Sequence, residues 1–139
     1  MTVPIDAIQE VADMLYSAGV DCDFGVDESH LLAVIEMARA RYANRTIRAV
    51  KNWMWWDFEV SEVIRDRFDD SNIKPAIIFA HDVIWDSSKR MSEGWNVKTT
   101  ALVRFEENCL FITRNTVYIL VGKGHRKTVD PQMADSLHF

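Results

Sequence analysis

Val97, Thr99, Ala101, Val103 and Phe105 alternate with polar residues and Leu102. A period of two sends side chains to opposite faces of an extended chain, so this stretch reads as strand. The pattern continues to residue 129. Residues 109–113 lead into Arg114-Asn115, a two-residue hairpin turn, because Asn tolerates positive φ. Residues 116–121 are β-branched and apolar on both faces, and Gly122-Lys123-Gly124 turns the chain into a short strand at 125–129. Upstream, Pro75 opens an apolar run at 76–85, broken only by His81-Asp82, which suits a buried strand. Strands this short and closely spaced suggest an antiparallel β-meander or a small SH3-like barrel.

The N-terminal half reads differently. Ile5, Ile8, Ala12 and Leu15 recur at helical spacing after Pro4, predicting a helix over 4–18 that Gly19 ends. Residues 20–26 form an acidic loop. Asp27 or Ser29 caps a second helix over 31–42, with Leu31, Val34, Ile35, Ala38 and Tyr42 as its apolar stripe. Residues 43–56 are ambiguous. Thr46 to Val50 alternates like a strand, yet Arg41, Arg45 and Arg48 would share one face if the helix ran on, and no Pro or Gly intervenes. The expectation is a helix ending near Asn52. A third helix is expected over 57–69, with Val60, Val63, Ile64 and Phe68 inward. The expected fold class is therefore α+β in a single domain: a helical half of about three helices (1–73) packed on a β half (74–139).

A chain of 139 residues buries about two thirds of its unfolded surface, so it needs no disulfide or metal to hold a core. Its apolar and charged fractions, 48% and 27%, are those of a globular protein. No stretch approaches the ~20 apolar residues of a membrane span. The first 18 residues carry no Lys or Arg, unlike a signal peptide. Cys22 and Cys109 lack CxxC spacing, so two reduced thiols and a cytoplasmic location are expected, with no cofactor.

Net charge is −5, and its order is uneven. Residues 1–38 hold eight acids and no base; residues 39–52 hold five bases and no acid. Such asymmetry reflects internal pairing or a face presented to a charged partner.

Five features could carry function. In Trp53-Met54-Trp55-Trp56-Asp57-Phe58, five large apolar side chains in six positions cannot easily all face one core. Trp53, Trp55 and Trp56 beside arginine have the composition of an interface hot spot; the structural alternative is a core cluster. The bases Arg39, Arg41, Arg45, Arg48 and Lys51, with Arg114, Arg126 and Lys127 at later turns, suit phosphate contacts, or else pair with the acidic segment. Asp6, Glu10 and Asp13, with Asp21, Asp23, Asp27 and Glu28, form an acidic field that could imitate phosphate spacing or simply be solvated. His81, Asp82, Asp86 and His125 could supply acid–base chemistry, but no HExxH, GxSxG or SxxK is present, and Gly122 to Thr128 fails the GxxxxGK[ST] spacing. His30, near a helix start, reads as neutral and structural.

The segments Val83-Ile84-Trp85-Asp86-Ser87, Thr100-Ala101-Leu102-Val103-Arg104-Phe105, Thr113 to Leu120 and Gly124-His125-Arg126-Lys127 resemble a family of small bacterial proteins, of pseudomonad and phage type, whose function is unknown. The resemblance covers about 75–129. It implies a bacterial or phage-borne compact module and transfers no catalytic or binding residue.

These features point to a non-enzymatic protein that binds another protein, as an inhibitor or immunity-type component of a bacterial or phage conflict system. The alternatives are a nucleic-acid-binding module built on residues 39–51, and a small hydrolase or nuclease centred on His81 or His125.

Overall fold

The longest strand lies where the sequence pointed to helix. The computed structural model describes residues 19–130, and within them Thr46–Phe58 is a 13-residue strand, β2. Before it come β1 (Val20–Cys22), a 3-10 turn (Glu28–His30) and helix α1 (Leu31–Arg41). After it come α2 (Glu62–Asp70), β3 (Ala76–Asp86), β4 (Val97–Lys98), β5 (Arg104–Glu106), β6 (Leu110–Ile112), β7 (Thr116–Leu120) and β8 (Gly124–Val129).

These strands form one mixed sheet of eight, curled into a half-barrel. β2 is its spine. One edge of β2 pairs antiparallel with β3, and the other pairs parallel with β7 through Thr46 to Val50 and with β8 through Met54 to Phe58. β7 and β8 therefore lie end to end along one strand, and the register steps by one residue between Leu120 opposite Val50 and His125 opposite Met54. β2 carries one left-handed residue, Asn52, with a φ of 54°, and its register with β3 shifts between Ala49 and Val50. Val50 and Trp53, three apart, both reach the inner cluster. β6 and β5 extend the sheet beyond β7, and β1 extends it beyond β8. The strand expected through 97–105 breaks in two: Val97-Lys98 pairs with β3, while Arg104 to Glu106 pairs with β6. The hairpin at Arg114-Asn115 forms, closed by Thr113 N–H to Thr116 O at 2.9 Å. Positive φ falls instead at Glu107 and Asn108, a primed turn between β5 and β6.

The expected helical half with about three helices, packed on an antiparallel meander or SH3-like barrel, is overturned. Residues 20–22 and 46–58 belong to the sheet, the sheet is mixed, and the described residues hold two short helices. The physical reason is burial on both faces. Trp53, Met54, Trp55 and Trp56 are all buried in a row, so β2 shows no polar alternation to mark it as strand. The second helix lies as expected, with Ile35 and Ala38 buried. The third starts later than expected, at Glu62, where Ser61 caps it by accepting from Ile64 N–H at 3.3 Å. The expected helix over 4–18 lies outside the described residues.

Side chains sort onto the two faces of the curl. Trp53, Trp55, Ile78, Leu102, Phe111 and Leu120 fill the inner cluster. α1 covers an outer cluster of Ile47, Leu110, Ile112, Val117 and Ile119, all 0–1% exposed. Each such side chain contributes about 1.5–3 kcal/mol by leaving water. No helix of the described residues is long and apolar enough to cross a membrane.

The two thiols fall on opposite faces, Cys22 inner and Cys109 outer, both buried and free. Burial, with Glu107 adding to it, pushes the Cys109 thiol up to about 11. Iodoacetamide at pH 8 should therefore leave Cys109 unmodified in the folded protein and label it in 8 M urea, read by mass spectrometry. Labelling of the native protein at a free-thiol rate would contradict this burial.

Candidate functional site

β2 and β8 run side by side, so Trp55 stands opposite Arg126 and, two residues on, Asp57 shares Trp55's face. The three side chains lock together. The Arg126 guanidinium lies 4.8 Å from the centre of the Trp55 ring. It donates to both Asp57 oxygens, Nε to Oδ2 at 2.6 Å and Nη2 to Oδ1 at 3.1 Å. Trp55 Nε1 donates to the same Oδ1 at 3.1 Å. Trp55 is fixed from below by Phe105 and Phe111, both edge-on with centroids at 5.0 Å. Arg126 is thus held by a bidentate carboxylate and an aromatic face while 44% of its side chain remains exposed.

The Arg126–Asp57 pair separates two depressions. One, of about 600 Å³, opens beside Val20 and Asp21 of β1. The other is a cleft of about 380 Å³ between the sheet and α2. Trp55, Phe58, Pro75 and Ala76 give the cleft an apolar floor; Arg65 and Asp69 reach it from α2, and Lys74 from the approach to β3. Arg65 and Lys74 are exposed. Among the described residues neither side chain has a hydrogen-bond or ion-pair partner. Sequence reasoning missed both, because they come from separate elements far in sequence from Arg126.

The structure separates the other predicted site residues. Trp53 and Trp56 are 1% and 0% exposed and belong to the core; Trp53 Nε1 donates to Gly122 O at 3.0 Å, and Trp56 stacks on Phe79. Arg48 is drawn inward, its Nε 3.4 Å from Asp86. Arg41 pairs with Glu106 at 3.3 Å, and Arg45 donates to Thr113 O at 2.9 Å while lying over the Tyr42 ring. Tyr42 donates to Glu106, a bond that with Arg41 and Arg104 holds the Glu106 pKa below its ordinary value. Arg114 is exposed at its turn, and Lys127 lines the larger depression. Of the residues proposed as a binding set, Trp55 and Arg126 are brought into one site.

Of the acidic field, Asp6, Glu10 and Asp13 lie outside the described residues, Asp27 caps the 3-10 turn, and Glu28 pairs with Lys51 at 3.2 Å. His125 Nδ1 stands 3.4 Å from Asp21, and His81 packs edge-on against Phe79. The two imidazoles belong to different strands, and neither lines either of the two depressions. No cluster of three His, Cys, Asp or Glu among the described residues could hold a metal ion.

A family model described as a domain of unknown function, DUF6957, matches residues 24–136. The chain belongs to this family. The match takes in α1, β2 and α2 as well as the strands after them, so the Trp55–Asp57–Arg126 site and both walls of the cleft lie inside the family domain. No curated protein and no solved structure matches the chain.

Proposed function

We propose that this protein binds another protein through the surface centred on Arg126. The observation that carries the reading is the locked, half-exposed guanidinium over Trp55. A rotamer-rich side chain normally loses entropy when a partner immobilises it. Arg126 is already immobilised by Asp57 and Trp55, so binding would order little more, and arginine beside aromatic residues is the usual composition of an interface hot spot. The residues 39–51 favour a nucleic-acid reading less, since Arg41, Arg48 and Lys51 each have an acidic neighbour within 3.5 Å. An inhibitor or immunity-type role in a bacterial or phage conflict system is the setting proposed for this binding. It fits a small acidic chain without a recognised catalytic motif.

Affinity capture from bacterial lysate, wild type against Arg126→Ala, tests the reading. Arg126→Ala removes a half-exposed bidentate pair and a cation–π contact and should cost about 1–2 kcal/mol of stability, which leaves the variant folded. A captured protein should fall at least tenfold with the variant. An identical set of captured proteins would remove Arg126 from the interface. Salt-dependent binding of labelled RNA or DNA by the wild type, lost in Arg45→Ala, would replace the protein reading with a nucleic-acid one.

A further inference from the structure

We infer that the cleft between α2 and the sheet is a receptor for one acidic side chain of the partner, presented beside an apolar residue. This rests on the protein-binding reading and names what that surface recognises. The charge of the cleft sets the chemistry. Arg126 is matched by Asp57 in a bidentate pair, which leaves Arg65 and Lys74 as two cations with no partner among the described residues, against the single exposed carboxylate of Asp69. The surplus is one positive charge. A carboxylate carries one negative charge; a phosphate monoester carries close to two and would also face Asp69 and Asp57 at close range. The floor sets the neighbour. Trp55, Phe58, Pro75 and Ala76 line the cleft together with the cations, so a ligand presenting a carboxylate alone would leave their apolar surface wet. About 380 Å³ falls at the small end of ligand sites and holds one or two side chains rather than a folded element.

The geometry also supplies a reporter. The Trp55 indole N–H donates to Asp57 at the wall of the cleft, so a ligand seated there should shift its NMR resonance. The probes are two capped peptides, acetyl-Leu-Glu-Leu-amide and acetyl-Leu-Gln-Leu-amide, titrated into the ¹⁵N-labelled full chain, with Trp55 assigned from a Trp55→Phe sample. The Glu peptide should shift Trp55 saturably and bind at least tenfold more tightly than the Gln peptide. An Arg65→Met, Lys74→Met double variant should abolish that preference; both side chains are exposed and, among the described residues, unpaired, so the fold should be kept. Equal binding of the two peptides, an unchanged preference in the double variant, or a stronger response to inorganic phosphate would each overturn the inference. Those outcomes leave the wider reading standing if capture still depends on Arg126, so the two fail separately.

Discussion

Trp53→Ala is expected to cost about 4 kcal/mol of folding stability, measured as a fall in the urea midpoint with little change in slope. The indole is 1% exposed in the inner cluster and donates to Gly122 O, so truncation opens a cavity and strands a carbonyl. A small domain has roughly 5–15 kcal/mol in all, so the variant would stand near the edge of folding. The same contact can be attacked from its other side. A Cβ built on Gly124 would lie 2.3–2.5 Å from three atoms of the Trp53 ring, well inside any permissible contact. Gly124→Val should therefore destabilise by about 3 kcal/mol through overpacking, without removing an apolar atom. If both variants melt like wild type, the Trp53 ring is not packed against Gly124 of β8. Binding studies consequently gain nothing from Trp53 variants, which would unfold the site rather than dissect it; Arg126, Arg65 and Lys74 are the positions to change.

That distinction was half legible in the sequence. The strands after Pro75 announce themselves by alternation or by β-branched runs between turn residues, and α1 by its apolar stripe. β2 does not, because the code that marks a strand is the contrast between a wet and a dry face, and both faces of β2 are covered. Thr46, Ile47 and Val50 were the available signal, outweighed by the alignment of Arg41, Arg45 and Arg48 on an imagined helix. That alignment has another cause: Arg45 and Arg48 reach back to Thr113 O and Asp86 across the fold. The tryptophan run pointed to a site, and one of its members is in one. Trp55 differs from Trp53 and Trp56 in its neighbour two positions on, Asp57, which shares its face and can hold a cation over the ring. That Arg126 supplies the cation follows from parallel pairing between β2 and β8, a contact across 69 residues that no local pattern encodes.

Asp86 carries the last large expectation, and it turns on pH. Its carboxylate, 2% exposed, ends β3 by gathering the loop that follows. It accepts from Ser88 N–H at 3.0 Å, Arg90 N–H at 3.1 Å and Met91 N–H at 2.9 Å, and from the Ser88 hydroxyl, with Arg48 Nε at 3.4 Å. Burial alone would raise its pKa; the Ser88 hydroxyl, the Met91 and Ser88 N–H groups and Arg48 outweigh that and hold it below the ordinary 3.8. Asp86→Asn puts an amide donor among these donors and leaves Arg48 poorly neutralised, which should cost about 3 kcal/mol at pH 7. A depressed folded pKa stabilises the native state above the unfolded value. That contribution is complete above 3.8 and drains away as pH falls from there through the lower folded value. Urea unfolding of wild type and Asp86→Asn at pH 7 and pH 3 should therefore show a gap that narrows on acidification, since wild type loses what the variant never had. Other carboxylates such as Glu106 titrate in both proteins and cancel in the difference. A gap of the same size at both pH values would mean that the loop is held by shape and not by the charge of Asp86.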